Sequence, residues 1–117
     1  LIVQKLASNP DAFGFFGYSY LVANKDKIKA SSVNGVQPSL EGIQDYSYPI
    51  ARPLFFYVKK AHIGVIPGIE EYLKEFTSKK SMGMRGYLAE IGLVPLASDK
   101  YKVTRTAALD LNIIKLN

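Results

Sequence analysis

A glycine and aromatic turn near the start of the chain is the stretch best suited to hold an anion. Within GFFGYS, Gly17 precedes Tyr18 and Ser19, at the point where a predicted short strand gives way to a predicted helix. The first N–H groups of a helix have no partner inside the helix and favour anions. The stretch lacks the lysine of a P-loop and the third glycine of a dinucleotide-binding motif. Tyr18 and Ser19 are therefore candidate ligand-binding residues, and a purely structural turn is the alternative.

Catalytic and metal-binding chemistry have little support in the sequence. His62 is the only histidine and the chain has no cysteine, which excludes thiolate nucleophiles, disulfides and cysteine-ligated metals. No G-x-S-x-G elbow is present, and a surface position at the end of a strand is the simpler interpretation of His62. Glu70, Glu71 and Glu75 lie off the apolar stripe of their predicted helix, as solvated carboxylates do. We therefore predict no enzyme, no metal site and no cofactor.

The charge of the chain is mildly basic and dispersed. Fifteen Lys and Arg residues against ten Asp and Glu give a net charge of +5. Nucleic-acid binding needs basic residues clustered on one face, whereas here they are spread out, with small doublets at Lys59-Lys60 and Lys79-Lys80. We predict no nucleic-acid partner, and a small basic patch for an anion stays open. No apolar run approaches the roughly 18 residues that a membrane span needs.

The elements that must position these residues alternate between helices and strands in the first half of the chain. Asn9-Pro10 should end a first helix, Asn34-Gly35 should form a turn, and Ser39 can cap a single helical turn. The predicted elements are the end of a helix over residues 1–8, a short buried strand over 12–18, a helix from about Gly17 to Asn24 and a strand over 27–33.

The second half predicts one strand and three helices. Residues 54–60 are apolar on both faces, so we expect a strand buried on both sides. Pro67 begins an amphipathic helix whose apolar residues Ile69, Tyr72, Leu73 and Phe76 follow helical spacing. The other two helices carry Met84, Tyr87, Leu88 and Ile91, ended by Gly92, and then Val103, Ala107 and Leu111 on an inner face after a cap at Ser98 or Asp99.

This order of elements indicates an α/β fold, and four motifs narrow it to a family. They are Phe13–Tyr18, Asn34–Pro38, Tyr48–Lys60 and Gly92–Leu96. They match a G-x-I-G-Y strand, a V-D-G-V-x-P loop, a Y-P-x-x-R-P-L strand ending in V-K-K, and a G-L-V-P-L ending. Over nearly the whole chain, the sequence resembles the C-terminal portion of the periplasmic phosphate-binding proteins of phosphate ABC transporters, solute-binding proteins of the type II clamp superfamily.

The resemblance implies a two-lobed α/β clamp, with short strands flanked by helices, that holds phosphate in the cleft between its lobes. Residues 1–50 would be part of the second lobe, and residues 51–117 would form a hinge strand and return helices. The family's phosphate ligands lie mainly on N-terminal loops and on an Arg…Ser-Gly-Thr segment, and no Ser-Gly-Thr occurs here. Tyr18 and Ser19 would lie beside the cleft.

The implied function is capture of inorganic phosphate for import through an ABC transporter permease, in the periplasm or outside the cell. The resemblance implies a C-terminal fragment that lacks the main ligand residues. Two alternatives stay open: a truncated structural or interaction domain, and a related solute-binding protein or adhesin of the same superfamily. Apolar faces and strand edges meant for an absent half would be exposed, so we expect the fragment to self-associate as a homo-oligomer.

Overall fold

The computed structural model describes residues 1–114, and the regular structure of these residues is helical. Within residues 1–114, seven α-helices are joined by turns and irregular segments, with a 3₁₀ turn at Lys60–His62. The helices are α1 (Ile2–Ala7), α2 (Tyr18–Ala23), α3 (Leu40–Gln44), α4 (Ile69–Phe76), α5 (Lys79–Met82), α6 (Tyr87–Glu90) and α7 (Ser98–Leu109).

The predicted strands are not formed by the described residues. An isolated antiparallel bridge between Val33 and Val36 closes the predicted Asn34-Gly35 turn. Residues 13–16 and 53–58 make no backbone hydrogen bond within residues 1–114. A strand exists only through its ladder, so an apolar run without a pairing partner does not become one. The expected burial of residues 54–60 on both faces is also wrong, because Leu54 is 76% exposed and Phe55 is 65% exposed.

The chain divides into two compact units. They are Leu1–Arg52 with Ile91–Val94, and Pro53–Glu90 with the residues from Pro95 onward. The assignment of residues 1–50 to a second lobe and of 51–117 to a hinge strand and return helices stays a prediction.

Local signals in the first unit give the helices that the sequence predicts. Helix α2 runs from Tyr18 to Ala23 between Gly17 as N-cap and Asn24 as C-cap. Helix α3 begins after Ser39, whose Oγ accepts a hydrogen bond from the N–H of Gly42 at 2.9 Å. This side-chain cap satisfies one of the N–H groups that the first turn leaves unpaired, and it confirms the predicted role of Ser39.

Helix α4 organises the second unit. It begins at Ile69, two residues after Pro67, because Gly68 takes a left-handed φ of 86° as the N-cap. The amphipathic pattern of the helix buries Leu73. On its surface the ring of Phe56 stacks on that of Phe76 with centroids 4.6 Å apart. The irregular segment before the 3₁₀ turn is thereby anchored to the helix through one aromatic side chain.

Helix α7 packs on α4 through polar-tipped side chains. The buried Tyr101 donates its phenolic O–H to the carbonyl of Thr77 at 2.9 Å. Arg105 Nη1 donates to Thr77 Oγ1 at 3.2 Å and reaches the carbonyl of Lys74 at 3.5 Å. These contacts satisfy carbonyls that the end of α4 leaves without helical partners. Val103, predicted to lie on the inner face, is instead exposed.

The predicted single helix over residues 84–91 is wrong. The chain turns before α6, at glycines that lie very close to backbone carbonyls. A Cβ on Gly83 would collide with the carbonyl of Lys79, and one on Gly86 would collide with the carbonyl of Ser81. Close backbone approaches of this kind turn the chain sharply between α5 and α6. Only the four residues of α6 remain helical.

Candidate functional site

Tyr18 and Ser19 are the first two residues of α2, as predicted. Gly17 before them is extended, with φ −63° and ψ 146°, and no side chain caps the helix. The N–H of Tyr20 donates to the Gly17 carbonyl at 3.0 Å, whereas the N–H groups of Tyr18 and Ser19 have no acceptor among residues 1–114. Two backbone donors are therefore available at this turn for an anion or for water.

The segment Ile91–Val94 lies against the same turn, within the first unit. Gly92 has a φ of 100°, and a Cβ added to it would collide with the side chain of Ser19. Glycine is needed at this position for its backbone angle and for the close approach. Gly92 was predicted to end a helix, and it lies two residues after α6 with a positive φ. The first and last of the four motifs meet here. No pattern in the sequence indicates that these two motifs touch.

The hydrogen-bond donors of this turn are neutral groups, namely backbone N–H groups and side-chain hydroxyls. Ser19 is half-buried beside Gly92, and its hydroxyl makes no hydrogen bond within residues 1–114. The first turn of α2 carries no acidic residue that would repel an anion. Two N–H groups and one or two hydroxyls can hold part of a phosphate group. A dianion with four oxygens needs more donors than these, so the turn is at most one side of a phosphate site.

The other candidate residues, His62 and the glutamates of α4, are not grouped into a metal site within residues 1–114. His62 lies half-buried in the 3₁₀ turn, while Glu70, Glu71 and Glu75 are exposed on α4 as predicted. Within residues 1–114 no three His, Cys, Asp or Glu side chains are grouped closely enough to hold a metal ion. In the same range, no helix has both the length and the apolar character required to cross a bilayer.

A groove in the second unit was not anticipated from the sequence. Its volume is about 380 Å³. The lining residues are Phe56, Tyr57, Val58, Lys59, Pro67, Gly68, Ile69 and Tyr72. With three aromatic rings and one cation, the groove is suited to an apolar side chain rather than to phosphate. The apolar run over residues 54–58 is the only sequence feature that points to this groove, and by its composition it predicts a buried strand instead.

Comparison with known proteins gives the family. Residues 2–80 match the model of a PBP superfamily domain. The chain is 35% identical over 97 residues to the phosphate-binding protein PstS of Staphylococcus haemolyticus (strain JCSC1435), which covers 76% of this chain and 30% of the relative. It is also 35% identical over 95 residues to PstS of Staphylococcus aureus (strain USA300), covering 75% and 29%. No solved structure matches the chain significantly.

The chain spans about three tenths of the length of these curated relatives. The family match includes the first three motifs, over residues 13–60, so the resemblance to periplasmic phosphate-binding proteins is confirmed. The family is one of solute-binding proteins and not a class of enzymes. Because the family model matches more than half of its residues, this chain belongs to the PBP superfamily of periplasmic-binding-protein-like domains.

Proposed function

We propose that this chain is part of a phosphate-binding protein that captures inorganic phosphate for import through an ABC transporter permease. The observation that carries the proposal is the 35% identity over 97 residues to a protein named for phosphate binding. The match runs through most of the chain and is not confined to one motif. Capture would take place in the periplasm or outside the cell.

In the intact protein, two lobes would close around the anion, with backbone N–H groups and hydroxyls as donors. The apolar runs over residues 13–16 and 53–58 would become strands once the complete fold supplies their pairing partners. Residues 1–50 would belong to the second lobe, and residues 51–117 would form the hinge strand and return helices. The main phosphate ligands would lie outside the matched region.

Tyr18 and Ser19 are the residues of this chain that we propose to lie at the cleft. Their unpaired N–H groups and the unbonded Ser19 hydroxyl support this assignment. Gly92 would hold the turn in place from the opposite side. Ser19 is the better candidate of the two, since a small hydroxyl adds a donor without filling the space that an anion needs.

Isothermal titration of the purified chain with phosphate, with sulfate as the control, tests how much of the site this chain contains. We expect a folded sample to give no saturable heat, because the few donors at the α2 turn cannot hold the anion alone. Saturable and phosphate-selective heat would contradict the assignment of the main ligands to other parts of the protein.

A chimera tests the function itself. The matched region of the S. haemolyticus relative is replaced by this chain, and phosphate binding is measured by titration. We expect selective binding, which Ser19→Ala weakens about three- to tenfold through the loss of one hydrogen bond. Ser32→Ala, at an exposed serine of the same unit, should leave the affinity unchanged. A folded chimera that does not bind phosphate would favour the alternative that this chain is part of a related solute-binding protein or adhesin.

The second candidate is a structural or interaction domain. The exposed aromatic side chains of Phe55 and Tyr57 favour it, since contiguous apolar surface marks sites of protein contact. Failure of phosphate binding in the chimera, together with specific association of the chain, would support this alternative.

A further inference from the structure

We infer that Gly92 is a positioning residue that sets the direction of the Ser19 hydroxyl. This role rests on the proposed function, in which Ser19 lies at the phosphate cleft. Gly92 lies in the segment Ile91–Val94, which belongs to the first unit together with α2. It lies outside residues 2–80, over which the family model matches the chain. The role is therefore argued from the contact between the two residues and not from the family match.

The backbone of Gly92 and the side chain of Ser19 are in direct contact. A Cβ added to Gly92 would overlap the Ser19 Cβ, and it would lie 2.6 Å from Ser19 Oγ and 3.5 Å from Ser19 Cα. Carbon atoms in favourable van der Waals contact are about 3.5–4.0 Å apart. The three atoms nearest to the added Cβ all belong to Ser19, so only glycine at position 92 lets these two segments pack as they do.

This contact restricts the rotation of the Ser19 side chain. The hydroxyl of a serine can occupy three staggered positions about the Cα–Cβ bond. Because the Gly92 backbone lies against both Cβ and Oγ of the half-buried Ser19, the space for exchange among these positions is reduced. A hydroxyl that is held in one direction before the anion arrives loses less entropy on binding. We therefore expect Gly92 to contribute to phosphate affinity through Ser19.

Gly35 provides a matched control in the same unit. Its φ is 79° and that of Gly92 is 100°, so alanine is strained at both positions. A Cβ added to Gly35 would meet no atom of the described residues within 4 Å. Gly35→Ala therefore introduces the backbone strain without any contact with Ser19, and the comparison of the two variants isolates the effect of the contact.

Phosphate titration of the chimera with the S. haemolyticus relative tests the role in binding. Gly92→Ala should raise the dissociation constant about three- to tenfold, as we expect of Ser19→Ala, because each removes the hydrogen bond of a correctly directed hydroxyl. Gly35→Ala should leave the dissociation constant unchanged, although its backbone strain lowers the melting temperature. An unchanged constant for Gly92→Ala, or an equal rise for Gly35→Ala, would overturn the proposal.

A double-mutant cycle tests whether Gly92 acts through Ser19. Ser19→Gly removes Cβ and Oγ and leaves Cα at 3.5 Å from the added Cβ, which is an ordinary contact. In this background Gly92→Ala should raise the dissociation constant no further, and it should lower the melting temperature less than it does in the unaltered chimera. If Gly92→Ala alone does not fold, Ser19→Gly should restore folding. Additive effects on the affinity, or folding that is not restored, would overturn the proposal.

Nuclear magnetic resonance of the 117-residue chain separates this proposal from the proposed function, because it needs no phosphate. The three-bond couplings between the Hα and the two Hβ protons of Ser19 should have the values of a single rotamer. Gly92→Ala should change these couplings, and Gly35→Ala should not. Couplings averaged over several rotamers in the unaltered chain would overturn the proposal even if the chimera binds phosphate. A single rotamer that depends on Gly92, in a chain whose chimera does not bind phosphate, would support the positioning of Ser19 and contradict the proposed function alone.

Discussion

The side-chain hydroxyl of Ser81 is buried and has no hydrogen-bond partner among the described residues. It is fully buried, and its Oγ makes no hydrogen bond within residues 1–114. A buried unpaired polar group is costly, so Ser81→Ala should leave the free energy of unfolding unchanged or raise it by up to about 1 kcal/mol. Ser78→Ala should lower it by about 1 kcal/mol, because Ser78 caps α5 by accepting from the Ser81 N–H. Urea denaturation followed by circular dichroism measures both, and a clear loss for Ser81→Ala would show that the hydroxyl is bonded.

The α7 side chains that pack inward are not the ones that the sequence pattern predicts. The helical spacing of its apolar residues predicts Val103 on the inner face, but Val103 is exposed. The inner face is instead built by Tyr101 and Arg105, whose polar tips bond to Thr77. Such side chains bury an apolar body while keeping a polar end satisfied. Their role depends on carbonyls at the end of α4, which lie more than twenty residues away in the chain, and no local pattern reports these.

Gly86 and Gly17, which both lie next to the start of a helix, should respond differently to replacement by alanine. Gly86 is pressed against the Ser81 carbonyl, so Gly86→Ala must displace backbone between α5 and α6 and should lower the free energy of unfolding by about 1–3 kcal/mol. Gly17 has φ −63°, and a Cβ there would find no atom closer than 3.7 Å. Gly17→Ala should therefore be neutral or slightly stabilising. Thermal unfolding of the two variants side by side would contradict this assignment if Gly17→Ala proved the more damaging.

A helix, cap or turn could be predicted from the sequence when the residues that determine it are close together in the chain. The positions of α2 and α4, the Ser39 cap and the Asn34-Gly35 turn depend on a few neighbouring residues, and all are confirmed. The strands depend on pairing partners far along the chain or outside it, and residues 1–114 do not form them. The candidate site divides in the same way. Tyr18 and Ser19 were placed correctly at a helix start, but the contact with Gly92 required the fold.

Burial is uneven over the molecule as a whole. In the first unit the buried apolar side chain is Ile28. In the second unit Leu73, Thr77, Ser81 and Tyr101 are all buried, on α4 or its C-cap and on the two helices that contact α4, which are α5 and α7. A chain with so few buried side chains, and many exposed aromatic ones, obtains little free energy from its own core. The resistance of each region to opening should therefore follow the local number of buried contacts.

Hydrogen exchange at low chain concentration measures this distribution directly. The N–H of Thr77, bonded to the Leu73 carbonyl at 3.1 Å, should be among the slowest to exchange, because opening it breaks the contacts of α4 with α7. The N–H of Ile28, bonded to the Asn24 carbonyl at the same distance, should exchange at least about tenfold faster, since fewer buried contacts resist its opening. Because the two hydrogen bonds are alike in length, the comparison isolates the surrounding packing. Equal protection would mean that the units open together as one cooperative structure, and burial counted within each unit would then not explain the stability of the chain.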